Sequence, residues 1–553
     1  MKLWWLEGNM SSIKIVEQTA WTGGARAQGS IAVNDAQLVE TMPVVSAGLA
    51  RFIRRALALA LIATPLAFGG VHAAVYAPLE IALFVAATAV IVGALRSSAE
   101  IPRCRGRTAR VLLATATCVL ALALGRTAWT WLHDSAHPVF GTAVSGAALA
   151  PALRGIREFV FFGAVVFLVR VALIGRPFAV GALINLILVS GIGCAFIGLA
   201  HWFYDTGRLF WFFEPENIFI SDRARWPFVN SNHLAAFLLP TFFLLLARLG
   251  EGVYNLRDVV VSGRTGRPRK LADIVSSVRA HRVFISLGGW GICLIATTMC
   301  ILATLSRGAW ISTAGGIIFF LLAEGRTRRT VARPEEIPQV VPHASSRRSK
   351  RRRRSGQRSP LAPLSSFRVR RLGLAAALIA LVVGAYSSIG DRGADLIERR
   401  VEYGLLHSKE DMRLQLMSDT KPILHEHLIF GVGLGGWANE YARHMSPLLS
   451  GIDPVYLHNE PAQLLVELGI VGLAPLLAGI VTVAWFVASS LTTSRDRLIR
   501  LALLTGILAT LLATLFDFHL RIPAIVLQLA VLTGLISFLT DSEEPRTPAH
   551  LGK

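Results

Sequence analysis

Long apolar runs separated by polar connections dominate the chain. Runs long enough to span a bilayer, allowing for tilt, occur at about 52–70, 78–95, 111–131, 157–175, 177–200, 233–249, 283–305, 309–323, 372–389, 461–490, 500–516 and 522–540. The pattern predicts an all-α polytopic membrane protein of about 12 transmembrane helices with a large loop on the outer side. The expected organisation is a tail at 1–50, spans one to eight within 51–324, a polar segment at 325–371, and the ninth span at 372–389. A large outer loop at 390–460, the last three spans within 461–540 and a tail at 541–553 complete it. Within that outer loop, Met412, Leu414, Leu416, Met417 and Ile423 are spaced for a short amphipathic helix, and the Gly-rich stretch GVGLGG at 431–436 follows it.

Charge sets the orientation. The connections at 51–55 (RFIRR), 96–110, 248–282 and 326–371 are strongly basic, whereas 390–455 carries 7 Lys/Arg against 10 Asp/Glu. By the positive-inside bias the basic connections face the cytoplasm and both termini are cytoplasmic. A composition of 53% hydrophobic residues and a mean hydropathy of +0.54 agree with a membrane protein. Of the net charge of +21, segment 326–371 supplies +13, from 15 Lys/Arg and two Glu. Such a run suits a disordered cytoplasmic loop held near anionic headgroups of the inner membrane better than nucleic acid, and no nucleic-acid partner is expected. Residues 1–50 lack the apolar core of a cleavable signal. The five cysteines fall in spans or on the basic side, so neither a disulfide framework nor a zinc site is expected.

The outer face then collects pieces far apart in sequence: the aromatic-rich 201–232 loop, LSRGAW at 305–310, the 390–458 loop, and the tight turn from Asp517 to Arg521. The aromatics of the first piece (Trp202, Phe203, Tyr204, Phe210 to Phe213) suit a helix in the headgroup region, a platform for a polyprenyl chain or sugar, or both. Arg307 at a span end is either a snorkelling side chain or a fixed cation for an anionic group such as diphosphate. Arg413 is either a solvated charge or a second such cation. His458 is an interfacial polar residue or a base for a hydroxyl. Asn459, before Glu460 and Pro461, is equally readable as a helix cap, as are Asn230 and Asn232 before the sixth span. GVGLGG matches G-x-G-x-x-G only by letter, since no strand precedes it; it is expected to be a tight turn approaching the membrane. No paired-carboxylate metal site and no Walker motif occurs outside, so neither a metal nor a cofactor is expected.

These pieces resemble the O-antigen ligase and polymerase family of membrane glycosyltransferases. WPFVNSNHLAAFLLP at 226–240, LSRGAW at 305–310, an Arg before G-x-G-x-G-x-W at 431–437, HNEPAQLLVELGIVGL at 458–473 and DFHLRIPA at 517–524 carry the resemblance, over about 225–540. It implies a type C glycosyltransferase-like fold and transfer of a glycan from undecaprenyl diphosphate, without a metal, to an acceptor hydroxyl at the periplasmic face of a bacterial inner membrane. Lipopolysaccharide or another surface polysaccharide is the implied product; the acceptor is another glycan, a lipid A core or a protein. Arg307 and Arg413 would hold the departing diphosphate and His458 would activate the acceptor. Arg225, Asn230, Asn232, Asn459 and Arg521 are the expected substrate-binding residues.

Rival readings are a repeat-unit polymerase or protein O-oligosaccharyltransferase of the same family, a twelve-span transporter, and a scaffold working through its basic loop. Transporters place polar groups near the midplane on broken helices. Here the spans read as largely clean, with Arg170 the main exception, expected to snorkel.

Overall fold

The computed structural model describes residues 46–96, 106–136, 144–174, 178–204, 208, 210–212, 222–260, 277–331, 393, 395–399, 401–402, 412–449, 454–491 and 496–542. The helices, in chain order, are α1 (Ala47–Leu66), α2 (Ala73–Arg96), α3 (Arg107–Ala136), α4 (Val144–Leu173), α5 (Phe178–Phe203), α6 (Ser231–Val260), α7 (Val278–Ala303) and α8 (Arg307–Val331). There follow α9 (Met412–His427), α10 (Trp437–His444), α11 (Glu460–Ser490), α12 (Arg497–Ala513) and α13 (Pro523–Asp541). Eleven of the twelve apolar runs fall on helices, and the twelfth, 372–389, lies outside the described residues, as do residues 1–45 and most of the basic segment.

Among the described residues, eight helices are long and apolar enough to cross a membrane: α2, α3, α5, α6, α7, α8, α11 and α13. The remaining three runs coincide with helices of less membrane-like composition. Arg51, Arg54 and Arg55 lie in the first turns of α1; Arg154, Arg157, Glu158 and Arg170 punctuate α4; and α12 is only 17 residues long. The chain is thus an all-α polytopic membrane protein, its centre formed where α6 and α13, buried nearly all round, pack with α12, α4 and α7.

Polar anchors mark the two ends of this bundle. At one end the Asp541 carboxylate accepts from the Thr108 and Ala109 amides, capping α3, and pairs with Arg170 at 3.0 Å. Arg170 also donates to Ser537 at 2.9 Å, so it is bound inside the protein rather than snorkelling. At the other end the α1–α2 turn is tied to the start of α13 through the Ala524 amide on the Gly69 carbonyl, and Phe68 bridges to Phe228. The pieces expected to share a face meet at this second end.

The Gly-rich turn has a specific seat. Helix α11 is broken at Gly469, whose φ of 64° and ψ of −176° belong to glycine. The gap is filled by backbone from the segment after α9. The amides of Ile470 and Val471 donate to the carbonyls of Leu428 and Ile429, and those of Val432 and Gly433 donate to Val466 and Glu467. Groups released by the break are thereby satisfied by protein, as backbone at membrane depth requires. A β-carbon on Gly431 or Gly469 would strike backbone of the opposite strand.

Candidate active site

The site is built on the junction between the start of α11 and the turn that joins α12 to α13. Three hydrogen bonds zip these together: the Glu460 amide to the Thr514 carbonyl (3.0 Å), Asn459 Nδ2 to the Leu515 carbonyl (3.0 Å), and His458 Nδ1 with Asp517 Oδ1 (2.8 Å). Asp517 is fully buried and is the hub. Its Oδ2 accepts from Asn232 Nδ2 at 2.7 Å and from Arg413 Nη2 at 3.1 Å, and its Oδ1 also accepts from the Phe518 amide at 2.9 Å. Burial opposes the charge on Asp517. The His458 hydrogen bond, followed by His233, Arg413 and His519, outweighs that cost and holds the carboxyl well below the usual carboxylate range.

A carboxylate only accepts, so Nδ1 is the donor of this bond, and an imidazole that carries its single proton there presents the Nε2 lone pair. The Phe518 ring lies edge-on to the imidazole with centroids 4.7 Å apart. His458 has a positive φ of 58°, and Leu305, two residues before Arg307, one of 50°. Two of the three expected catalytic residues, His458 and Arg307, therefore stand at or beside left-handed backbone, a conformation that side-chain-bearing residues hold only where surrounding structure enforces it.

Arg413 is delivered by α9. Leu416, Thr420 and Ile423 are that helix's buried face. Trp437 Nε1 donates to Thr420 Oγ1 (3.1 Å), while Asp419 accepts from the Tyr441 hydroxyl and the Ser446 amide, both at 3.0 Å, locking α9 to α10. The Arg413 side chain remains 35% exposed, so it borders the solvent side of the hub.

From Asp517 the network continues through Asn232 to Arg223, whose Nη2 donates to Asn232 Oδ1 (2.6 Å) and whose Nε donates to the Thr304 carbonyl (2.7 Å). This links the hub to the α7–α8 corner. Arg307 is the first residue of α8, where Ser306 Oγ accepts from the Ala309 amide, and a β-carbon at Gly308 would come within 2.6 Å of Phe516. Gly308, next to Arg307 at the positive end of α8, therefore packs against the turn that leads to Asp517.

Other expected site residues have plainer positions. Asn230 accepts from the Asn232 amide at the start of α6, and Asn459 accepts from the Ala462 amide, so both perform the capping their sequence context allows. Arg225 is buried, with its guanidinium 5.0 Å from the Trp226 ring centroid. Arg521 is buried among carboxylates: Nη2 lies 3.1 Å from Glu467, Nη1 3.5 Å from Glu158 and Nε 3.6 Å from Glu460. In the aromatic loop, residues 208 and 210–212 form a turn folded back on His201, with Trp211 stacked on that ring at 4.2 Å; the rest of 205–221 lies outside the described residues.

Three participants had not been expected: Asp517, Arg223 and the buried His519. Burial pushes His519 down to about 4 from an ordinary 6.5, against the pull of Asp517. Because the folded value is the lower one, the unfolded chain takes up this proton first. Stability is therefore complete above about pH 6.5 and falls, by up to about 1.4 kcal/mol per pH unit, as pH drops toward about 4. Melting curves of His519→Gln should show a flatter decline between about pH 7 and pH 5 than wild type; equal slopes would contradict this.

The fold and this polar end define a polytopic helical membrane protein with a histidine–carboxylate pair among arginines. Residues 292–477 match the model of a family described as O-Antigen ligase, and the match supports an O-antigen ligase-family protein. The match supports a role in polysaccharide or glycan transfer. No curated protein matches the chain. The matched range holds Arg307, Arg413, His458 and the Gly-rich turn, and ends before Asp517. Asn232 and Asp517, outside it on either side, are joined to it by the hydrogen bonds described.

Proposed function

We propose that this protein transfers a glycan from a polyprenyl (undecaprenyl) diphosphate to an acceptor hydroxyl, at the periplasmic end of its helices in a bacterial inner membrane. The observation that carries the reading is the His458–Asp517 pair, with Arg413 on the same carboxylate and the start of α8, which Arg307 begins, packed against the turn through Gly308. In the proposed step, His458 Nε2 takes the proton of the acceptor hydroxyl as its oxygen attacks the anomeric carbon. The bond from that carbon to the phosphate oxygen breaks, and its electron pair leaves with the diphosphate. Asp517 stabilises the imidazolium that forms. Arg307, reinforced by the α8 N-terminus, and Arg413 meet the charge that grows on the departing diphosphate. The cytoplasmic basic segment and twelve-span topology belong to the same proposal.

The transporter alternative finds one feature in its favour, the broken helix α11 with Glu467 buried at the break. In transporters, however, unwound backbone is left open to coordinate the cargo. Here the 428–433 segment occupies the groups on both sides of Gly469.

The test is turnover by purified protein in liposomes supplied with a polyprenyl-diphosphate-linked glycan and a hydroxyl acceptor, with the product read by mass spectrometry. Wild type should form the glycosylated acceptor and release the prenyl diphosphate. Arg307→Ala should be slower by about a hundredfold or more, equivalent to about 3 kcal/mol. An Arg307→Ala rate equal to wild type would remove the diphosphate clamp from the account.

A further inference from the structure

We propose that Arg521 is a positioning residue for the transfer step: by clasping Glu158, Glu460 and Glu467 it fixes both members of the His458–Asp517 pair relative to each other. This rests on the transferase reading above.

Two arms run from the Arg521 guanidinium to the pair. The first passes through α11. Arg521 Nη2 donates to Glu467 Oε2 (3.1 Å), and Glu467 Oε1 accepts from Gln463 Nε2 (2.9 Å). Gln463 Oε1 in turn accepts from the amide of Leu457 (3.0 Å), the residue immediately before His458. The second arm is Arg521's own turn, a single 3-10 turn of His519–Arg521 in which the Arg521 amide donates to the Phe518 carbonyl (3.3 Å), next to Asp517. Nε also lies 3.6 Å from Glu460, in the first turn of α11, and Nη1 reaches α4 through Glu158 at 3.5 Å. The guanidinium is 5.6 Å from the Tyr456 ring centroid, on the chain leading to His458.

The chemistry suits a clasp better than a substrate contact. The Arg521 side chain is 9% exposed, and Glu460 and Glu467 are 1% and 0% exposed. A planar guanidinium with five donors can hold carboxylates from several elements at once, which an ammonium cannot do with the same geometry. Glu467 sits just before the break at Gly469, so without the clasp the first two turns of α11 lose their side-chain tie to Arg521 and are held to the Asp517 turn only through the bonds of His458, Asn459 and Glu460. A misplacement of about 1 Å between base and acceptor costs about a hundredfold in rate.

The experiment compares Arg521→Lys and Arg521→Gln with wild type in the liposome assay, together with hydrogen exchange of the purified proteins without substrate. The expected result for Arg521→Lys is a fall in kcat of about tenfold, and for Arg521→Gln about a hundredfold, with the KM for donor and acceptor unchanged. Faster exchange should be confined to 456–470 and 515–521. In an Asp517→Asn background, adding Arg521→Lys should cost less than about threefold, because both substitutions break one unit. A raised KM at unchanged kcat would overturn the proposal in favour of substrate binding, and full additivity with Asp517→Asn would overturn it in favour of a purely structural role. Failure of wild type to transfer would count against the transferase reading alone. Exchange would still decide the clasp, which unchanged protection in both Arg521 variants would refute.

Discussion

His458→Ala is expected to abolish glycan transfer while the protein still inserts and folds, and Asp517→Asn to lower kcat by about a hundred- to ten-thousandfold. Both effects follow from one hydrogen bond. The His458 ring is 20% exposed at a junction that Glu460, Asn459 and Thr514 hold by other bonds, so its removal leaves the α11–α12 junction intact. The loss falls on the proton acceptor alone. Asp517→Asn preserves size and can keep the bond to Arg223 through Asn232 as an intermediary. Its amide, however, can donate to Nδ1, which would place the imidazole proton on Nε2, where the base must be vacant. It also removes the negative charge that Arg413 pairs with at this position. Expression, melting temperature and single-turnover rate, measured side by side, check this. An Asp517→Asn rate near wild type would mean that the histidine needs no carboxylate to orient it.

The second large effect is expected at the break in α11. Gly469→Ala forces a β-carbon into a backbone region that only glycine occupies readily, and against the Ile429 carbonyl. Gly431→Ala does the same from the other side, against the backbone of Glu467 and Gly469. Either substitution must expel the 428–433 segment, leaving amides and carbonyls of both strands unpaired at membrane depth. The expected outcome is a loss of about 3 kcal/mol or more and a low protein level, with transfer falling because α9, and with it Arg413, loses its seat. Thermal melting in detergent provides the check. A wild-type melting temperature for both variants would show that the docked turn contributes little.

Much of this architecture was legible in the sequence because membrane spans announce themselves locally. A run such as that of α6 or α13 needs no partner to be recognised, since about twenty apolar residues are a property of one segment. The Gly-rich turn and the His458–Asn459 pair were legible for a related reason, because polar and flexible residues stand out where they interrupt hydrophobic sequence. Asp517 did not stand out. A carboxylate in a tight turn ordinarily faces solvent, and its partners His458, Arg413 and Asn232 lie 59, 104 and 285 residues away. Arg521 drew notice as a cation for substrate, while the three carboxylates around it come from α4 and from the part of α11 before its break. The break itself was invisible. LVELGIVGLAPLL reads as continuous apolar helix, and the segment that fills the gap comes from another element. For the same reason the spans read as cleaner than they are.

The capping roles of Asn230 and Asn459 show the limit from the other direction. Each caps a helix, and Asn459 also ties α11 to the Leu515 carbonyl, so a local role and a place at the junction are held by one side chain. Asn232, two residues from Asn230, differs because it reaches Asp517. Equivalent letters in one short motif thus separate only when the helices on either side are in place.

The central claim is that the His458–Asp517 pair serves glycan transfer from a lipid-linked donor. It is tested most directly by extracting the undecaprenyl-linked glycans of cells that make wild type or His458→Ala at matched levels and sizing them by mass spectrometry. The account predicts that lipid-linked glycan accumulates in the variant, as long chains where the blocked step is ligation and as single repeats where it is polymerisation. An unchanged pool at equal protein level would contradict it.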